Sequence, residues 1–175
     1  MQEITGDLFA HNEAGPDAIC ITTNGYVLAQ GTNTMGAGCA GEAKHRWPGI
    51  QLIVGELVRN KGNHVHRLTY RASKLPPRIE LSWMRFESWP HKMFPSHTVP
   101  YHIFSFPTKH HWADPADLKL IEKSCQQLRQ HVDETGFSSV VIPRPGCGLG
   151  QLNWNEVRPI CDRWLDDRFF IITFK

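Results

Sequence analysis

The chain has 175 residues, enough for one domain around one core. Hydrophobic residues make up 41% and charged residues 21%, which excludes a disordered chain, and the net charge of +2 is too small to draw nucleic acid by bulk attraction. No apolar run reaches the ~18 residues that a membrane span needs. Along the chain, Gln2 to Thr5 reads as a short strand, followed by Gly6-Asp7-Leu8-Phe9. Asp17 to Thr23 reads as a stronger one, apolar over 18–21 and ending at Asn24-Gly25. Residues between Gly25 and Gly38 are small, polar or glycine, a long loop of the kind that often carries function. The pattern then predicts a helix from Cys39 to Arg46, stopped before Pro48, and a second from Ile50 to Arg59.

Residues 60–100 carry mixed signals. Asn63 to Leu68 and Arg78 to Trp83 read as strands, while Pro76, Pro77, Pro90, Pro95 and Pro100 interrupt what lies between. The aromatic and charged stretch from Trp83 to Trp89 suggests an insertion packed on the sheet or rimming a cleft. From Tyr101 to Phe106 a strand is again expected, with Pro107 to Trp112 as the loop at its carboxyl end. Asp114 is the expected N-cap of the next helix, with Pro115 at its first position and Asp117 at its third. Leu118, Ile121, Cys125, Leu128 and Val132 follow helical spacing, and Gly136 is the stop.

The most informative stretch is 140–157. Val140, Val141 and Ile142 are a short β-branched run, and Gly146, Gly148 and Gly150 allow backbone amides to approach a ligand with no Cβ in the way. Asn153 and Glu156 have the spacing of a capping box. Trp154, Val157, Ile160, Cys161 and Trp164 give one apolar helix face, and Phe169 to Phe174 is a last strand. Strand, glycine turn and helix start together present amides and a helix N-terminus, an arrangement suited to an anion. Strands alternating with helices predict a three-layer α/β/α domain with a mixed, largely parallel sheet.

Three loops therefore follow strand ends: 24–38, 107–113 and 145–153. Gly36 to Gly41 has the letters of a dinucleotide fingerprint but lies about a dozen residues past its strand, with no acidic residue at the expected distance, so a dehydrogenase is disfavoured. Lys109 stands between a strand end and a helix start, where it can pair with phosphate or act as an amine nucleophile. Cys147 reads as a packing residue, because no base is linked to it by any signature. Neither His64-x-His66 nor His110-His111 has zinc-ligand spacing, so no metal is expected. The ten histidines are read as surface and loop residues. Five cysteines without a C-x-x-C, and no signal-peptide pattern, predict a reducing cytoplasm.

Taken together, Gly6-Asp7-Leu8-Phe9, the stretch from Pro16 to Asn24, Met35-Gly36-Ala37-Gly38 and the stretch from Pro143 to Trp154 resemble a macrodomain. The Met-Gly-x-Gly loop, the Gly-Cys-Gly-Leu turn with Trp154 after it, and Thr108-Lys109 resemble the branch that holds the terminal ADP-ribose protein glycohydrolase and the DarG antitoxins. The resemblance implies a single macrodomain over 1–175 with an irregular insertion at about 60–100. It implies ADP-ribose as ligand and no cofactor. Asp7 would accept from the adenine amino group, with Leu8 beside it, and Phe174 would stack on the ring. The loop Met35, Gly36, Ala37 and Gly38 and the turn Gly146, Cys147, Gly148, Leu149 and Gly150 would hold the diphosphate and distal ribose through backbone amides, and Thr23, Asn24 and Pro145 are counted with them as substrate-binding. Lys109 would act at the distal ribose C1″.

Two positions depart from the pattern. Gly150 stands where the human glycohydrolase carries an aspartate, as in DarG-like sequences, and Ile21 stands where many macrodomains carry an asparagine. The expected activity is hydrolysis of ADP-ribose from a DNA base or an acidic protein side chain, by a monomer that binds no membrane. The alternatives are a non-catalytic ADP-ribose reader and a hydrolase of free derivatives such as ADP-ribose-1″-phosphate.

Overall fold

A computed structural model describes residues 1–9, 16–68 and 102–174. The expected strand at Arg78 to Trp83 and the insertion reading of 60–100 fall largely outside them. The described elements are β1 (Gln2–Thr5), β2 (Ala18–Asn24), α1 (Gly38–Arg46), α2 (Ile50–Lys61), β3 (His66–Leu68), β4 (His102–Lys109), α3 (Leu118–Thr135), β5 (Val140–Pro143), α4 (Trp154–Trp164) and β6 (Phe169–Thr173). The six strands form one sheet in the order β1-β6-β5-β2-β4-β3. All neighbours run parallel except β3, which pairs antiparallel with β4 at one edge.

The period-2 alternation of the strands divides the core in two. Cys20, Phe104, Phe106, Val140, Ile142, Phe169 and Ile171 pack under Ile121, Cys125, Leu128, Val157 and Cys161 of α3 and α4. Ile19, Ile21, Ile103, Val141 and Ile172 face the other way, under Ala40, Ala43, Ile50 and Val54 of α1 and α2. Strands buried on both faces explain why β2 and β5 read as continuous apolar runs. The three-layer α/β/α architecture and the mixed, largely parallel sheet are as expected.

Local signals set the helix ends in two places. Gly136 closes α3 at φ 70°, and Asn153 with Glu156 forms the capping box of α4. The start of α3 differs from expectation: Asp117, not Asp114, is its N-cap, accepting from the amides of Lys119 at 2.8 Å and Leu120 at 3.4 Å. The residues before it are committed elsewhere. The Ala116 amide donates to the Gly150 carbonyl and the Asp117 amide to the Thr108 carbonyl, both at 2.9 Å, so 114–117 becomes a strap between two loops.

β4 also runs past its expected end at Phe106 to Lys109. Pro107 is tolerated there because β3 pairs only as far as Ser105, so no ladder bond is lost on that side. The β2–β4 register shifts between Thr23 and Asn24, which leaves Thr108 as an extra residue and places Asn24 opposite Lys109. β3 is shorter than Asn63 to Leu68, since the Val65 amide is taken by the Gln127 side chain at 3.0 Å. Among the described residues no helix is long and apolar enough to cross a membrane.

Candidate functional site

The three loops singled out in the sequence leave the carboxyl ends of β5, β2 and β4, which are adjacent in the sheet. The loop after β2 leads to α1 on one face. Those after β4 and β5 lead to α3 and α4 on the other. Loops that part in opposite directions leave a crevice over the strand between them, here over the end of β2. In open α/β sheets this is where ligands bind.

Lys109, the last residue of β4, joins the three loops. Its ammonium donates to the Leu149 carbonyl at 2.9 Å and to the Trp112 carbonyl at 3.4 Å. Its own carbonyl accepts from the Gly25 amide at 3.1 Å and from Asn63 Nδ2 at 3.0 Å. An ammonium has three donors, so a third remains for a ligand.

The glycines of the loops divide into two physical kinds. A Cβ on Gly150 would stand 2.4 Å from the Gly146 carbonyl oxygen, and one on Gly55 would stand 2.0 Å from that of Gly31. These glycines let backbone pack on backbone. Gly36, Gly38 and Gly148 are exposed and have nothing within 4 Å of a built Cβ. The amides of Gly36, Ala37, Gly148 and Leu149 have no partner among the described residues. Open glycines with unused amides are what an anion cradle requires.

The Macro domain family profile matches residues 91–161. The chain superposes on the macrodomain of Mycobacterium tuberculosis DarG with a TM-score of 0.68 at 22% identity, covering 99% of this chain and 95% of that one. This chain has the macrodomain fold. It also superposes on Thermosipho africanus DarTG, solved in complex with ADP-ribose, with a TM-score of 0.71 at 20% identity, over 99% of this chain and 42% of that one. By sequence the chain is 27% identical over 138 residues to the T. africanus (strain H17ap60334) DNA ADP-ribosyl transferase-DNA ADP-ribosyl glycohydrolase fusion protein. That match spans 75% of this chain but 32% of the relative, and matches to other curated glycohydrolases span 16% of theirs.

The remaining candidate residues take distinct places. Asp7 follows β1 and Phe174 follows β6, on neighbouring strands at the same sheet edge, and both are exposed. Asp7 Oδ1 accepts from the Phe9 amide at 2.9 Å. Leu8 and Met35 are core residues, 0% and 2% exposed, so only their backbone is available to a ligand. Asn24 is buried and spent on its own loop: Nδ2 donates to the Thr34 carbonyl at 2.7 Å and Oδ1 accepts from the Tyr26 amide at 3.0 Å. Thr23 is buried as well, and its Oγ1 has no partner among the described residues. Pro145 and Gly146 are buried within the turn. Burial pushes the Cys147 thiol up to about 11, the opposite of what a nucleophile needs, and its Sγ donates to the Pro145 carbonyl at 3.4 Å.

Among the described residues no three His, Cys, Asp or Glu side chains gather as a metal site would need. Sequence reasoning passed over Asn63, which grips the Lys109 backbone, and Tyr26, which packs edge-on against His111 at 4.4 Å. It also passed over Trp112, 53% exposed, whose carbonyl receives Lys109. An exposed tryptophan in a polar loop was the one signal available for them.

Proposed function

We propose that this macrodomain hydrolyses ADP-ribose from a modified macromolecule. The observation that carries this reading is the Lys109 ammonium, 2.9 Å from the Leu149 carbonyl, beside unpartnered amides at the crevice. Asp7 and Phe174 would take the adenine end. From β1 to β4 there are four inter-strand spacings, on the order of 19 Å, which suits a ligand lying extended across the sheet edge from adenine to distal ribose. The diphosphate would lie on the amides of the loops at Gly36 and Gly148. Lys109 would then face C1″.

In the reaction the bond from C1″ to the carrier's nitrogen or oxygen breaks. Water supplies hydroxide to C1″ and a proton to the leaving atom. Lys109 either attacks C1″ as an amine, to be released by water, or stabilises the charge that develops as the bond breaks. Holding the reactants in place lowers such a barrier by ~7–11 kcal/mol in favourable cases, so no carboxylate at 150 is required. The chain's similarity to DNA ADP-ribosyl glycohydrolases favours ADP-ribosylated DNA as carrier. Five free cysteines fit action in a reducing cytoplasm.

One observation favours a second reading, a reader without turnover: residue 150 is a glycine and brings no carboxylate beside Lys109. The test offers ADP-ribosylated DNA and ADP-ribosylated protein in parallel to the wild type and to Lys109→Ala. Turnover by the wild type and its loss in the variant is the expected result. Binding of ADP-ribose with no turnover of either substrate leaves the reader. Release of phosphate from ADP-ribose-1″-phosphate alone would point to a hydrolase of free derivatives.

A further inference from the structure

Two features adjoin Lys109 that the ADP-ribose reading does not use. The first is a cleft of about 360 Å³ lined by Asn63, His64, His110, Lys119 and Lys123, with Asp117 and Leu120. Lys119 and Lys123 are exposed and have no carboxylate partner among the described residues. The one carboxylate of the cleft, Asp117, is occupied by the α3 amides and by His110 Nε2 at 3.2 Å. Asn63 connects this cleft to the site, since its Nδ2 holds the Lys109 carbonyl, while its Oδ1 is buried without a partner. The second feature is an aromatic shelf. Tyr26 and Trp112 are 38% and 53% exposed, with the His111 ring between them at 4.4 and 5.4 Å. The Ala113 amide donates to His111 Nδ1 at 3.2 Å and fixes that ring.

We infer that this surface holds a single nucleic-acid strand on either side of the modified nucleotide, with bases stacked on Trp112 and Tyr26 and backbone phosphates in the cleft of Lys119, Lys123, His64 and His110. Unpaired cations beside exposed flat rings are the two elements by which proteins grip a single strand. An acidic peptide would use the cations and leave the rings idle. A duplex keeps its bases stacked on one another and offers the rings no face. The low net charge is no objection, because the fold brings the two lysines of the first turns of α3 together beside the hydrogen-bonding side chains of Asn63, His64 and His110. The inference rests on the hydrolase reading for its purpose, but its test does not.

The test measures anisotropy of a labelled, unmodified ten-nucleotide single strand with the wild type, Trp112→Ala and Lys119→Glu/Lys123→Glu, with calorimetry of free ADP-ribose alongside. The wild type should bind the strand with an affinity that falls as salt rises. The double variant should bind at least tenfold more weakly, with a log–log salt slope shallower by about 1.4 for two lost phosphate contacts. Trp112→Ala should bind roughly five- to a hundredfold more weakly with the salt slope kept. ADP-ribose affinity should be the same in all three. Absence of strand binding by the wild type, or variants that bind as it does, overturns the inference and leaves the hydrolase reading standing. So does turnover of an ADP-ribosylated acidic peptide that falls in the double variant as much as turnover of the oligonucleotide. Loss of ADP-ribose binding by the wild type would instead remove the hydrolase reading.

Discussion

The Lys109 ammonium donates to the Leu149 carbonyl at 2.9 Å, which ties the last residue of β4 to the glycine turn after β5. A methionine at 109 keeps most of the stem and removes the donors. Lys109→Met should therefore lower single-turnover release of ADP-ribose by ~10²–10⁴-fold, the usual worth of a positioned proton-transferring or nucleophilic group. ADP-ribose affinity by calorimetry should change by a few-fold at most, because the diphosphate contacts proposed above are to backbone amides. Lys109→Arg separates the two roles. Arginine retains charge but cannot supply a neutral amine. An inactive arginine variant assigns attack on C1″, and a partly active one assigns charge stabilisation.

The two kinds of glycine predict opposite outcomes for single substitutions. Gly150→Asp would supply the carboxylate found in the human glycohydrolase motif, but its Cβ would meet the Gly146 carbonyl oxygen at 2.4 Å and Cα at 2.7 Å. Backbone cannot swing aside, so overpacking should cost ~1–3 kcal/mol and lower Tm by several degrees, with no gain in turnover. Gly36→Ala and Gly148→Ala meet nothing within 4 Å and need no positive φ. Both should melt with the wild type. Their new methyl groups would stand where a diphosphate lies, and ADP-ribose affinity should fall about tenfold, or ~1.4 kcal/mol. Unchanged affinity in both would remove these loops from the site.

These contrasts mark the reach of the sequence. Signals that act within a few residues were readable: Asn153 with Glu156, Gly136, and the β-branched run at Val140. The failure at Asp114 has a non-local cause, since the Ala116 amide is claimed by Gly150 from another loop. Pro107 hid the extension of β4 to Lys109, because its tolerance depends on where the neighbouring β3 stops. Glycine letters at 36, 148 and 150 are identical, and only the fold shows which carry open space above them. The Leu149 partner of Lys109, 40 residues away, and the cleft drawn from 63–64, 110 and 119–123 have no one-dimensional signature.

Asn24 tests whether a buried candidate acts on the ligand or on its loop. Besides its own two bonds, its carbonyl accepts from Asn33 Nδ2 at 2.8 Å, and Asn33 Nδ2 also donates to the Tyr26 carbonyl at 3.1 Å. Asn24→Ala leaves the Thr34 carbonyl and Tyr26 amide unpaired, at a cost of ~1–3 kcal/mol. Tm should fall by ~2–4 °C per kcal/mol. Hydrogen exchange should quicken at Tyr26 and Thr34, with ADP-ribose binding weakened only as the loop loosens. A variant that melts as the wild type while losing affinity would instead place Asn24 on the ligand.

Asp17 predicts a pH dependence remote from the site. Its Oδ2 accepts from the amide and hydroxyl of Ser138 at 2.7 and 2.9 Å and from those of Ser139 at 3.0 and 3.3 Å, which pins the start of β2 to the start of β5. The Ser138 amide bond, with the other bonds from the pair, outweighs burial and holds the carboxyl below its usual 3.8. The folded state therefore binds this proton less readily than the unfolded chain does. The stabilisation is fully present above the unfolded value, about 3.9, and is lost as pH falls through the lower folded value. Asp17→Asn removes that titration and keeps the size of the side chain. Comparing urea midpoints of wild type and variant from pH 7 to pH 3 isolates Asp17 from the other carboxylates. The difference should be ~1 kcal/mol and constant down to about pH 4.5, then shrink towards zero below about pH 3.5. A difference that stays constant through the acid range would mean that Asp17 contributes by shape alone.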